Sequence, residues 1–313
     1  MTGAMAGSTA IRFGVPRGRL DVLTLTINNS CNLECPHCYL QYDGPSRLID
    51  QSLLAEVVAA QYRHLAVVGK EPLLDLKSAR ICEELIQRCS ETHKSCSIIT
   101  NGFGLHLLSA KALSELAWVD VSLDGGPMSY PDYRRGSFSK LTRLVRAALE
   151  SGLGLVNGLF TLSSATLPFL EDMLAVEAVL DWARLVFSPF ATVRSHGKQW
   201  VEPLSVSTLL HSLADCASFM NSTKSVLLLG ADAGADEGLS FADVEALLGE
   251  LLLAEKTTHV AHDPLLLGYL RLTYDGFIMT PYQSLHPAEY RATARPLKDY
   301  NSLDEAYALL RAS

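Results

Sequence analysis

No run of about 18 consecutive apolar residues, the least that crosses a membrane as a helix, occurs in the 313-residue sequence, and no membrane span is expected. Basic residues are not in excess: 26 Lys and Arg face 34 Asp and Glu, a net charge of −8. Nucleic-acid binding draws on a basic surface that neutralises phosphates, so no such partner is expected. The mild acidity serves solubility in the first place. Charge is sparse at 19%, against 48% hydrophobic residues, which fits a large packed core and excludes a disordered chain. Residues 1–19 lack the basic start and apolar run of a secretory leader, and their Gly, Ala, Ser and Thr read as a flexible lead-in. Internal repeats and low-complexity tracts are absent.

Cysteine is thin everywhere except in one loop. Of seven cysteines, three fall in "SCNLECPHCYL" as Cys31-x3-Cys35-x2-Cys38, and none follows Cys216. An odd count crowded in this way does not make a disulfide framework and suits a reducing cytoplasm. Cys82, Cys89 and Cys96 recur every seven residues, the first two on one helix face, and read as packing.

Strand-like and helix-like segments alternate over the first 230 residues, from "LDVLTLTI" (20–27) to "SVLLLG" (225–230). Asp50 is placed to cap the helix that begins the series. Such alternation implies right-handed βαβ units, a parallel sheet and chemistry at the C-terminal strand ends. "NNSC", "GKEP", "TNGFG" and "SLDGG" all fall at such ends. The expected architecture is α/β: a partial (β/α)6 TIM-like barrel over 20–235, with a small α+β C-terminal appendage over 236–313. In the appendage, Ser240 and the Ser302-x-x-Glu305 box read as helix starts, and Asp275-Gly276 reads as a hairpin turn. "HVAH" (259–262) reads as a loop.

Three chemistries compete for the cysteine loop. Buried structural thiols are the plainest, but Asn, Glu, Pro and His around them do not resemble core. A zinc site could draw on the cysteines with His37, yet His37 adjoins Cys38, and the well-separated second half of a structural zinc site has no evident counterpart. An iron–sulfur cluster is the third. A 4Fe–4S cube takes four thiolates, so three leave one iron open to a substrate or cofactor.

With the aromatic Tyr39 after the last cysteine, this loop resembles that of the radical S-adenosylmethionine (SAM) superfamily. The resemblance extends to "VVGKEPLLD" (67–75), where Gly69, Lys70, Glu71 and Pro72 match that family's Gly-Gly-Glu-Pro motif except for Lys70. It implies that Cys31, Cys35 and Cys38 bind one 4Fe–4S cluster and that Gly69–Pro72 hold the amino group of SAM. It further implies cofactor contacts at Thr100, Asn101, Ser122, Asp124, Asn157 and Thr161, with His37 facing the adenine side and Tyr39 beside the cluster. Reductive cleavage of SAM then gives a 5′-deoxyadenosyl radical that takes a substrate hydrogen, with the electron coming from an external flavodoxin- or ferredoxin-type donor.

The C-terminal segment resembles the extension that carries auxiliary clusters in peptide-modifying members, usually marked by "DG-x-x-x-PC". Here Asp275 and Gly276 match, Pro281 follows one residue later than in that pattern, and Tyr282 stands in place of the cysteine. A version without clusters favours redox-neutral outcomes such as epimerisation, for which Cys216 is a candidate hydrogen donor. The substrate expected first is a sugar, cyclitol or aminoglycoside-like intermediate. A ribosomal peptide precursor is the second reading, and a non-enzymatic zinc or iron–sulfur sensor is the reading from another class.

Overall fold

The computed structural model describes residues 20–38, 45–176, 182–189, 205–220, 225–230, 238–251, 258–262, 268–279 and 287–312. Eight strands follow one another in parallel, each paired to the next. They are β1 (Val22–Thr26), β2 (His64–Val68), β3 (Ser95–Thr100), β4 (Trp118–Ser122), β5 (Val156–Leu162), β6 (Arg184–Pro189), β7 (Ser225–Gly230) and β8 (Thr258–His262). On the other side of β1 lies β9 (Tyr269–Leu272), also parallel, followed by the antiparallel β10 (Phe277–Met279) and β11 (Arg295–Pro296). The result is one 11-stranded sheet in the order β11-β10-β9-β1-β2-β3-β4-β5-β6-β7-β8.

Helices α1 (Gln51–Ala59), α2 (Leu76–Glu91), α3 (Ala110–Glu115), α4 (Tyr130–Arg134), α5 (Phe138–Glu150), α6 (Leu170–Leu174), α7 (Val206–Asp215) and α8 (Phe241–Glu250) lie between the strands. Short polar side chains start them: Asp50 accepts from the Leu53 N–H, Asp75 from Ser78, Ser137 from Lys140 and Ser240 from Asp243. Each such cap satisfies a backbone donor that the first turn leaves open. Among the described residues no helix is long and apolar enough to cross a membrane.

The strands show two unlike faces. Leu65, Val67, Ile98, Val119, Val121 and Phe160 are buried in one continuous core with Ala79, Leu85, Leu141 and Val145 of the helices. Side chains alternate across a strand, so the neighbours of these residues point inward. That inner face carries His64, Ser97, Trp118, Asp120, Ser122, Asn157 and Thr161. Apart from Ser97, these residues are only partly buried, because the open sheet leaves a polar lumen where a closed barrel would interdigitate apolar layers. Cys82, Cys89 and Cys96 are buried in the outer core, as their sevenfold spacing suggested.

Two features depart from the sequence reading. "HVAH", expected as a loop, is most of β8, and α8 is the crossover that joins it to β7. A short polar-looking strand at the sheet's edge carries little periodicity from which to recognise it. The boundary expected near residue 235 falls between β7 and α8, and β8 and β9 share the sheet of the barrel strands. The Asp275-Gly276 turn is found between β9 and β10, with Gly276 at φ +83°, a left-handed conformation that favours glycine. Asp275 accepts from Tyr290 Oη at 2.9 Å and from Arg291 Nη2 at 2.7 Å, which fixes α9 (Pro287–Thr293) against the turn. In α10 (Leu303–Ala312), Ser302 accepts from the Glu305 N–H, but Glu305 returns to Asn301, one residue before the box expected. Tyr39, Pro281 and Tyr282 lie outside the described residues.

Candidate active site

At the C-terminal ends of β1 to β5 the lumen opens into a cavity of about 230 Å³. Its walls are the strand ends Thr26, Val68, Ile99, Ser122, Leu159 and Thr161, the segment Gly69–Glu71, and Thr100–Asn101. His37 and Cys38 close it from the cysteine loop, and Asp124, Arg134 and Arg271 complete it. Ten of the residues expected from sequence therefore meet in one place: His37, Cys38, Gly69, Lys70, Glu71, Thr100, Asn101, Ser122, Asp124 and Thr161.

The Gly69–Pro72 segment is held by side chains of two neighbouring strand ends. Asn28 Nδ2 donates to the Glu71 carbonyl at 2.6 Å, and its Oδ1 accepts from the Glu71 N–H. A Cβ at Gly69 would stand 2.7 Å from Asn28 Oδ1, so glycine is required by that close approach. The Glu71 side chain is buried and ties β2 to β3: Oε1 accepts from Thr100 Oγ1 at 2.5 Å and Leu73 N at 2.9 Å, Oε2 from Asn101 N at 2.7 Å. Burial raises its pKa above the ordinary value against the pull of those three donors. A carboxylate has about four acceptor positions, so one remains on Oε2 for an ammonium donor.

The cysteine loop is anchored from the same side. Asn101 Nδ2 donates to Asn32 Oδ1 at 2.7 Å and approaches Cys31 Sγ at 3.7 Å, while the Leu33 N–H donates to Cys31 Sγ at 3.3 Å. Cys35 Sγ lies 3.8 Å from the Arg134 carbonyl, and the Cys38 N–H donates to the Cys35 carbonyl at 3.2 Å. His37 Nε2 meets Asp124 Oδ2 at 2.9 Å, and Arg134 Nη1 meets the same oxygen at 3.0 Å. Asp124 Oδ1 accepts from the Thr161 N–H at 2.7 Å.

The thiols form one electrostatic group. Burial raises the pKa of Cys31 and pushes Cys35 up to about 11; Arg134 opposes the rise and the neighbouring thiols add to it. Thiols so placed ionise when a metal centre supplies positive charge. Among the described residues no three ligating side chains converge as for a single ion, whereas a 4Fe–4S cube spreads its thiolates over separate irons. His37 Nδ1 and Arg134 Nε are buried without a hydrogen-bond partner among the described residues, as expected beside a site built for a bound group. The donor set thus fits a cluster on Cys31, Cys35 and Cys38, with a cofactor in the adjoining cavity.

Several expected residues fall elsewhere. Asn157 faces the lumen but stands at the entry end of β5, where Nδ2 donates to Asp120 Oδ1 at 2.8 Å, well below the cavity. Pro72 is buried behind Glu71 and does not line the cavity. Cys216 is the C-cap of α7 in the outer layer, and the structure does not bring it to the cavity. Burial, then Glu171 and Asp215, raise its thiol pKa. Asp124, expected to hold a ribose or touch substrate, is 3% exposed and spends its oxygens on His37, Arg134 and Thr161.

Sequence reasoning missed Arg134, Arg271 and Thr26. Thr26 ends β1 and was within reach of the strand-end rule. Arg134 sits in "YPDYRR", which looks like a solvated helix face. Arg271 comes from β9, whose pairing with β1 joins segments nearly 250 residues apart.

The family model described as Radical SAM superfamily matches residues 25–171, from β1 into α6. No curated protein matches the sequence. The fold is similar to that of Streptococcus suis SuiB bound to S-adenosylmethionine, with a TM-score of 0.63 and 13% identity over 94% of this chain and 68% of that one. SuiB bound to its precursor peptide SuiA gives 0.61 and 13% over 95% and 67%. For anSMEcpe with bound AdoMet the values are 0.55 and 20%, over 83% and 73%. At these identities the likeness is one of fold. Strand order, cysteine loop and family match agree on residues 25–171, which carry a radical SAM domain.

Proposed function

We propose that this enzyme cleaves S-adenosylmethionine reductively and removes a hydrogen atom from a peptide substrate, with a redox-neutral outcome. The observation that carries the reading is the convergence of the cysteine loop with Gly69–Glu71, Thr100–Asn101 and Ser122 on one cavity. Cys31, Cys35 and Cys38 would hold a 4Fe–4S cluster, and Gly69–Glu71 would hold S-adenosylmethionine beside it; together these would supply a 5′-deoxyadenosyl radical for hydrogen abstraction. The protein's own residues do the placing. Glu71 offers its remaining acceptor position to an ammonium group, and Asn28 keeps the backbone at Gly69 close to the ligand.

Sugar-like substrates were the first expectation from sequence. The peptide reading gains from the likeness to SuiB over 95% of this chain, extension included, since SuiB is solved with a precursor peptide. The redox-neutral outcome is supported by the cysteine count, since no cysteine follows Cys216 in this sequence to ligate an auxiliary cluster. The test is anaerobic reconstitution followed by reduction with dithionite. About four irons per chain and release of 5′-deoxyadenosine are expected. Peptides encoded beside the gene should raise that release and exchange solvent deuterium at one carbon. Stimulation by aminoglycosides and not by peptides would overturn the substrate class; absence of 5′-deoxyadenosine would overturn the activity.

A further inference from the structure

The cysteine loop has two faces, and they serve different cavities. His37 and Cys38 look into the cavity described above, whereas Asn32 and Leu33 form a wall of a separate open groove of about 810 Å³. The two cavities share no lining residue. The groove is largely apolar, built on Leu33, Leu74, Leu76 and Leu107, and Leu76 is 60% exposed at the start of α2. Lys77 and Lys140 flank it, with His106 beside them, and Lys140 Nζ sits 5.6 Å from the ring centre of Phe103. Among the lining residues Asp75 is the one carboxylate, and it is engaged in capping α2 through the Ser78 N–H at 2.9 Å.

Two lysines beside the exposed Leu76 and the partly buried Leu33, Leu74 and Leu107 are an inversion of the chain's overall charge of −8. Such a surface selects an acidic macromolecule by charge and seats it by apolar contact. The groove is also one residue thick from the cysteines, since the Leu33 N–H donates to Cys31 Sγ at 3.3 Å. We propose that this groove docks an acidic electron-donor protein of the flavodoxin or ferredoxin type. It rests on the reading of the cysteine loop as a radical SAM centre. In the step served, one electron leaves the donor's reduced flavin or iron–sulfur group, oxidising it by one equivalent, and reduces the enzyme's cluster by one; no bond is made or broken.

The donor is favoured over a substrate peptide because the groove borders the cysteine loop at Asn32 and Leu33 and shares no lining residue with the SAM cavity. A peptide docked there would leave its reacting carbon outside that cavity.

The test uses the full chain, an acidic flavodoxin and the double variant Lys77→Glu/Lys140→Glu, with Leu76→Asn as a second, charge-neutral variant. Flavodoxin affinity, measured by calorimetry at low salt, should fall at least about tenfold in the double variant and should weaken in the wild type as salt rises. Flavodoxin-driven release of 5′-deoxyadenosine should fall with it, while dithionite-driven release stays at the wild-type level. Unchanged flavodoxin affinity in both variants overturns the docking site. So does lost turnover of a peptide substrate with flavodoxin binding intact, which would give the groove to the peptide. If the wild type binds flavodoxin here yet dithionite yields no 5′-deoxyadenosine, the docking surface stands and the radical SAM reading fails.

Discussion

Asp124 Oδ2 stands 2.9 Å from His37 Nε2, which fastens the end of β4 to the cysteine loop across 87 residues of sequence. Arg134 donates to the same oxygen at 3.0 Å, and the Thr161 N–H takes the other at 2.7 Å. Asp124 is held at φ +50°, a left-handed conformation that few non-glycine residues adopt. Burial alone would raise its pKa, but His37, Arg134 and the Thr161 N–H together hold it well below the usual carboxylate range.

Asp124→Asn keeps the shape and removes the charge, leaving the Arg134 guanidinium buried without its counter-ion. Loss of one partner from a buried pair costs about 3–5 kcal/mol, readable as a lower urea midpoint. Iron bound per chain on reconstitution should fall as well, because His37 lies between Cys35 and Cys38. Wild-type stability with full iron loading would show that the tie is incidental.

Gly69→Ala should damage the site from the other side. The new Cβ falls 2.7 Å from Asn28 Oδ1, and Asn28 cannot swing away without releasing both its hydrogen bonds to the Glu71 backbone. A drop in SAM affinity of about tenfold, one or two kcal/mol, is expected, with cluster content unchanged. Lys70→Gly, which restores the family's second glycine, should keep SAM binding, since the main chain there donates to the Asn28 carbonyl in either case. Binding by equilibrium dialysis separates the two variants.

The cysteines divide into a group that holds metal and a group that packs. Cys35→Ala should lose the brown cluster absorbance and all release of 5′-deoxyadenosine. Cys216→Ala should alter neither that release nor the product, because Cys216 caps a helix of the outer layer. A variant that cleaves SAM but returns unmodified substrate would restore Cys216 as hydrogen donor and place the cavity wrongly.

The cysteine loop and the Gly69–Pro72 segment were legible in the sequence because their chemistry fixes residue types at short spacing. The parallel strands were legible because both faces of a βαβ unit impose a repeating pattern. Arg134 was not, since its burial depends on α4 folding back over Asp124, and nothing in "YPDYRR" signals a tertiary partner. Asn157 shows a subtler limit. It shares the lumen-facing parity of Leu159 and Thr161, yet two to four residues along a strand, at about 3.3 Å each, separate the wall of the cavity from the barrel's far end.

That far end has chemistry of its own. His64 opens β2, stacks on Trp118 with ring centres 4.5 Å apart, and bonds Ser95 Oγ at 2.8 Å and Ser97 Oγ at 2.9 Å. Burial pushes its pKa down to about 4, against an ordinary value of about 6.5. The unfolded chain therefore takes up a proton near pH 6.5 that the folded chain refuses until about pH 4. Stability from this source is complete above about pH 6.5, declines as pH falls, and levels off below about pH 4; its size is about 2–3 kcal/mol. His64→Gln should flatten that step in urea midpoints measured at pH 7 and pH 4.5. The Asp124 contribution has the same sign but a lower window, being lost only below about pH 4, the ordinary aspartate range. Asp124→Asn should accordingly leave the pH 7 to 4.5 difference intact and flatten the fall at lower pH. An unchanged upper step in His64→Gln would show that the histidine is solvated and that the lumen is open at both ends.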